Sequence, residues 1–350
     1  MLTNNSPENI LHTAYEAKMI SSGDNSPSIK IKGTKLQYLL VMLHLGFESN
    51  IVKMVLGWTN EEFEERINSL EVEGLLKQTG GRYYPTCMVI TACEGKKLYN
   101  LCEPLIKQTL KIIENHSNQI EWFSKRIDAF NHLSKESYSL LLYSGVLLDF
   151  GQINYIEENY LKKKRPLRNK KRYYYAIQEQ ELPDIEAFGM YGNSRYSTLN
   201  LITANNEIFE EYFQNTNTDI NYKKKQLVKG FVAADRQKDL HLNVVYEKLG
   251  LYQNSQPVIP VFKRTDLSTL NEIVNTISED LVLLFNENDK PLKQYFASSR
   301  YSKEITYEEF FIWWYHFFYT KVTEELIKQG VIITSTQKKS NVHNPSITLN

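Results

Sequence analysis

The stretch TNEEFEERINSLEVEGLLKQTGGRYYPTCMVITACEGKKL, Thr59–Leu98, decides the architecture of the amino-terminal third of the chain. Phe63, Ile67 and Leu70 recur at i, i+4 and i+7, one apolar stripe of a helix predicted over Thr59–Leu76. Glu71–Leu76 reads E-V-E-G-L-L, and a glycine followed by two aliphatics is where such a helix ends. Gly80-Gly81 then turns the chain into a two-strand hairpin, predicted as Arg82–Pro85 and Cys87–Ile90. A further helix starts at Thr91, where Thr91 and Glu94 have capping-box spacing. Upstream, Lys35–Leu45 and Glu48–Leu56 read as two more helices, the second closed by Gly57.

Three helices, a β-ribbon and a following helix over residues 35–99 resemble a winged helix-turn-helix unit. Ile90–Leu98 is similar to the LT-x-x-G-x-x-L segment after the wing in MarR-like and PadR-like bacterial regulators. The resemblance implies a third helix lying in a DNA groove. Thr59 and Asn60 would sit at its start, with Glu61, Glu65, Asn68 and Val72 opposite the buried stripe and Arg66 as its single cation. Six glutamates fall between positions 59 and 73. A duplex carries one phosphate charge per roughly 1.7 Å, so this face departs from the family pattern. One glutamate can accept from cytosine N4, but a cluster is not expected. The ribbon offers Arg82 and Tyr83, with Lys96 and Lys97 on the next helix. The alternative is a winged helix used for protein contact, its acidic face meeting a basic partner.

A second feature is KKKRPLRNKKR at 162–172, followed by three tyrosines. Lys162, Lys163, Lys164, Arg165, Arg168, Lys170, Lys171 and Arg172 form the densest charge in the chain. Such density releases counterions from a phosphate backbone, and tyrosine can stack on bases. The competing expectations are a solvated loop or internal pairing with the acidic helix. A third feature is Ile106, Ile113, Ile120 and Ile127, spaced seven apart. On a continuous or nearly continuous helix through 92–132, with Pro104 as a kink or restart, this repeat predicts a dimer seam, against packing on the chain's own carboxy-terminal part.

Around these features the 350 residues, 42% hydrophobic and 23% charged, suit a globular chain of two or three domains. The expected fold is helix-rich α+β: a polar tail over 1–32 with a short helix at Ile10–Met19, the winged unit over 33–100, and a helical dimerisation region over 101–160. An α+β domain with a small antiparallel sheet follows over 161–335, then a polar tail over 336–350. Within that domain, strands are expected at Arg172–Gln178, Ala187–Tyr191, Ser197–Ala204 and Pro257–Lys263. Helices are expected at Asn205–Phe213, Gln226–Leu249, Leu267–Asn286 and Thr306–Gly330, the last opened by a Thr306–Glu309 capping box.

The 41 basic and 41 acidic side chains cancel, so any polyanion must meet a local patch. Three cysteines without CxxC and seven isolated histidines give no zinc spacing and fit a reducing cytoplasm. The amino terminus has no signal-peptide pattern, and the most apolar run, Phe310–Tyr319, is too short to span a bilayer. No dinucleotide, P-loop or nucleophile-elbow motif occurs, and Pro183-Asp184 lacks the E-x-K that a nuclease core needs. The expectation is therefore a non-enzymatic, cofactor-free, cytoplasmic DNA-binding transcriptional regulator, homodimeric, whose carboxy-terminal domain senses a ligand or partner. An interaction subunit of a larger assembly is the alternative.

Overall fold

The computed structural model describes residues 6–21, 26–180, 192–196, 199–203, 247, 252–253, 256–257, 259–333 and 346–349. These residues are helix-rich with small sheets, an α+β chain. None of their helices is long and apolar enough to cross a membrane. The chain divides into two compact units, each assembled from three separated segments. The first contains Met1–Pro104, Tyr160–Ala187 and Phe285–Phe317, and the second contains Leu105–Asn159, Phe188–Leu284 and Phe318–Asn350. Consecutive domains are the expectation from sequence, whereas these units interleave along the chain. Strands near the amino end need hydrogen-bonding partners, and a distant segment supplies them.

In the first unit the order is α1 (Pro7–His12), β1 (Tyr15–Ser21), α2 (Lys35–Leu45), α3 (Ser49–Leu56), α4 (Asn60–Glu73), β2 (Leu76–Thr79), β3 (Arg82–Pro85) and β4 (Met88–Ile90), leading into α5 (Ala92–Asn115). Thr34 opens α2 by accepting from the Leu36 amide, and Gly46 closes it in the left-handed region. Thr59 and Glu62 form a reciprocal capping box on α4. Phe63, Ile67 and Leu70 are buried, in one core with Leu39, Val52, Leu56 and Leu75. Each such side chain contributes about 1.5–3 kcal/mol by leaving water.

Two expectations are corrected here. Gly74, at φ 75°, caps α4 three residues before its expected end and frees Leu76–Thr79 to become a strand. That strand, not Cys87–Ile90, pairs antiparallel with Arg82–Pro85, from Leu76↔Pro85 to Thr79↔Arg82. Gly80 and Gly81 both have positive φ, as a two-residue hairpin turn requires. Met88–Ile90 instead runs parallel to β5 (Tyr173–Glu179) in a sheet of order β1-β5-β4. The other neighbour of β5 is Tyr15–Ser21, so part of the expected polar tail, including much of its expected helix, is an antiparallel strand. Its alternation explains this: Tyr15 and Ala17 pack on the core, while Glu16 and Lys18 pair with each other.

The chain continues through α6 (Ser117–Ser124), α7 (Lys135–Leu140) and α8 (Gln152–Ile156) to β5, and later through α9 (Asp266–Asn288), α10 (Lys290–Ser298), α11 (Tyr301–Glu304) and α12 (Tyr307–Lys328). The second unit holds a four-stranded sheet of order β10-β11-β7-β6, with β6 Gly192–Tyr196, β7 Leu199–Thr203, β10 Val261–Phe262 and β11 Ser346–Leu349. A separate pair joins β8 (Tyr252–Gln253) to β9 (Gln256–Pro257). Here β10 and β11 are parallel and the remaining pairs of the larger sheet antiparallel, so the expected all-antiparallel sheet and the polar tail over 336–350 are both corrected. The strand expected at Ala187–Tyr191 and the helix at Asn205–Phe213 lie outside the described residues, as does all but one residue of Gln226–Leu249.

The isoleucine repeat does not lie on one helix. It breaks at His116 and again after Ser124, and Ile127 precedes a 3-10 turn at Asp128–Phe130. Ile113, Ile120 and Ile127 are 2%, 0% and 0% exposed and Ile106 is half-buried, so the chain's own packing covers the proposed seam. Close packing also fixes Gly151 in this unit. A Cβ there would lie 2.7 Å from Cγ1 of Val274, and the neighbouring Gln152 donates to the Val274 carbonyl at 2.9 Å.

Candidate functional site

The exposed side of α4 is acidic as expected. Glu61, Glu62, Glu64, Glu65 and Glu71 are exposed, and Arg66 lies 3.8 Å from Glu65. Thr59 is committed to the cap, and Asn60 accepts from Lys53 at 2.7 Å. Asn68 is exposed between these acids. The hairpin leans on this helix through an edge-to-face contact of Tyr83 with Phe63. Burial, with Glu64 and Glu71 nearby, raises the Tyr83 pKa above the ordinary phenol value. Arg82, Lys96 and Lys97 are exposed. Met54 and Val72 are 68% and 62% exposed, unusual for large apolar side chains on a helical surface.

The basic run divides into an anchored part and a presented part. Arg168 and Lys171 exchange both backbone hydrogen bonds, at 2.9 and 2.7 Å, around Asn169 and Lys170 at φ 44° and 61°. This is the pattern of a two-residue turn with both central residues left-handed, which glycine would occupy with less strain. Arg168 is buried beneath the turn. Its Nη2 reaches both oxygens of Glu309, at 2.6 and 2.7 Å, and donates to the Thr86 carbonyl, while Nη1 donates to the Tyr173 carbonyl at 3.1 Å. Burial works against the guanidinium charge and Glu309 more than restores it. Glu309 therefore does not complete the expected box with Thr306, although its own amide donates to the Thr306 hydroxyl at 3.3 Å.

Lys171 is held by the Ser26 carbonyl, Ser28 Oγ and Glu73. Arg165 is buried with its guanidinium 4.0 Å from the Tyr174 ring centroid. Arg165 and Arg168 are thus corrected from surface contacts to internal supports, because their charges are sequestered by aromatic and carboxylate partners. Lys162, Lys163, Lys164, Lys170 and Arg172 remain exposed. The anchors set the turn beside the base of the hairpin, since the Arg168 backbone would meet a Cβ on Gly74 at 3.3 Å.

A second constellation was not legible from the residues alone. His44, at the end of α2, is buried between two carboxylates. Nδ1 lies 2.7 Å from Glu304 of α11 and Nε2 lies 2.9 Å from Glu94 of α5. Burial alone would lower the imidazole pKa, but the two carboxylates override it and raise it to about 10, so His44 is a cation at neutral pH. Burial opposes the Glu94 charge, yet His44 and the Thr91 hydrogen bonds hold that carboxyl below its ordinary value. Glu94 also completes the capping box with Thr91 that its spacing predicts.

His44 and Glu304 line a cavity of about 590 Å³ beside the hairpin turn. Its wall also carries Arg82, Arg300 and Lys303, with Glu48 as the other acid. Arg300 donates to the His44 carbonyl at 2.6 Å and passes close to Gly46, where a Cβ would lie 2.6 Å from Nη1. Glu304 and Arg300 are more than 250 residues from His44 in sequence, so no local pattern joins them; only the Thr91–Glu94 box gave a signal. Among the described residues, no group of three or more His, Cys, Asp or Glu side chains is arranged to hold a metal ion. No family model, curated protein or solved structure matches this chain.

Proposed function

We propose that the first unit is a winged helix-turn-helix module that binds the DNA backbone through its hairpin and the basic run, without base reading by α4. The order α2-α3-α4 followed by the β2–β3 ribbon supports the module. The observation that carries the binding reading is the anchored turn. Arg168 and Lys171 are spent on holding it, while Lys170 within the turn, Arg172 just after it and Lys162, Lys163 and Lys164 before it in the chain are exposed. Lysines fixed on a folded support contact phosphates with less loss of chain freedom than lysines on a free loop. The acidic face of α4 would be repelled by the same phosphates, which assigns α4 no place in the groove. Regulation of transcription is the role consistent with such a module.

Fluorescence anisotropy of the full chain with a duplex of mixed sequence tests this. Affinity should fall steeply between about 50 and 200 mM salt, and replacing four contacting lysines should flatten the log–log slope by roughly 3–4. The variant is K162A/K163A/K164A/K170A. Unchanged affinity and slope overturn the proposal. A second reading, docking of a basic protein on α4, is favoured by exposed Val72 on the same helix as the glutamates. It gains if the duplex fails to bind at low salt while a lysine-rich peptide binds and is lost in E61Q/E65Q.

A further inference from the structure

The cavity beside the hairpin turn is independent of the basic run, and its charge balance points to a ligand. Arg82, Arg300 and Lys303 make no ion pair among the described residues. Glu304 is already engaged by His44. Counting His44 as a cation, four positive groups face two lining carboxylates, Glu48 and Glu304; including Glu94 behind His44, the site still carries excess positive charge. Two guanidinium groups and an ammonium lining one hollow, with Arg300 Nη1 already donating to the His44 carbonyl, suit a phosphate-bearing ligand, since guanidinium and ammonium donate to phosphate oxygens. Phe47, Tyr83 and Tyr84 supply aromatic wall. The volume is that of a pocket for a small organic molecule rather than for an ion alone.

We propose that this cavity binds a phosphate ester of nucleotide size, with Arg82, Arg300 and Lys303 on its phosphates and the tyrosines beside its planar part. The ligand would bridge the hairpin turn, the end of α2 and α11. Arg300 is pre-positioned by the His44 carbonyl, and the buried His44–Glu94–Glu304 group fixes that end of α2. The phosphate ester has two sources, a free nucleotide and the end of a nucleic-acid strand.

Isothermal titration of the full chain with ADP, and separately with a 5′-phosphorylated dinucleotide, tests the site. Saturable binding of either probe is expected, weakened roughly tenfold or more in R82A/K303A, whose two side chains are exposed. Tighter binding of ADP assigns a free nucleotide; tighter binding of the dinucleotide assigns a strand end. No saturable binding of either probe up to about 10 mM, or binding that survives R82A/K303A, overturns the proposal. A chain that binds ADP but no duplex leaves this site standing and removes the DNA reading, so the two failures are distinguishable.

Discussion

Replacing His44 with glutamine should remove a specific, pH-dependent part of the stability of the first unit. In the folded protein the imidazolium sits between Glu304 at 2.7 Å and Glu94 at 2.9 Å, with its side chain fully buried. Its pKa rises from 6.5 to about 10, a preference for the bound proton worth on the order of 5 kcal/mol. The folded pKa lies above the unfolded one. The stabilisation is therefore complete below about pH 6.5 and disappears as pH climbs toward about 10. Glu94, whose pKa is lowered, acts oppositely: its contribution is present above pH 4.5 and is lost as pH falls. The window of greatest support from this group is therefore mildly acidic.

H44Q keeps the side-chain volume roughly constant and leaves two carboxylates without a counter-charge, a loss of about 3–5 kcal/mol. For a unit of this size that is roughly 10 °C in melting temperature. Calorimetry of parent and H44Q at pH 6 and pH 10 should show a large gap at the lower pH and a small one at the higher. Equal gaps at both pH values, or none, would refute the argument that His44 is charged in the fold.

Two further outcomes follow from buried contacts. R168M should destabilise the turn by about 3–5 kcal/mol because it strands Glu309, whereas R168M/E309L should recover most of that loss, read as the urea midpoint of each variant. G151A should cost about 1–3 kcal/mol by driving a Cβ into Val274, and V274A in the same chain should restore part of it, read by thermal melting.

The helices of the amino-terminal region were legible because their signals are local. The Phe63, Ile67 and Leu70 stripe, the Thr59 and Thr91 caps and Gly46, Gly57 and Gly74 each act within one or two turns of chain. Strand pairing was less legible, because a strand's partner is chosen by long-range geometry. Leu76 reads equally as a helix end or a strand start until Gly74 adopts positive φ. The partner of Met88–Ile90 lies more than 80 residues away, at Ala176–Gln178. The isoleucine repeat misled because spacing of seven is meaningful only on an unbroken helix, and His116 and Lys125 interrupt it. The run of lysines and arginines announced a charged surface, but not that Arg165 and Arg168 would be buried under it. Burial of a guanidinium depends on a distant carboxylate, here Glu309.

Because the first unit closes only with Phe285–Phe317, its completion is tied to the order in which a ribosome delivers the chain. At roughly 5–20 residues per second, Glu304 and Glu309 emerge about 10–40 s after Pro104. Throughout that interval the nascent polypeptide carries His44 without one of its carboxylates, and until Tyr173–Glu179 emerges Met88–Ile90 has no neighbouring strand. An unpaired edge of this kind is a template for mispairing between chains. Synthesis of this protein should therefore depend on holdase chaperones more strongly than a module of contiguous sequence would.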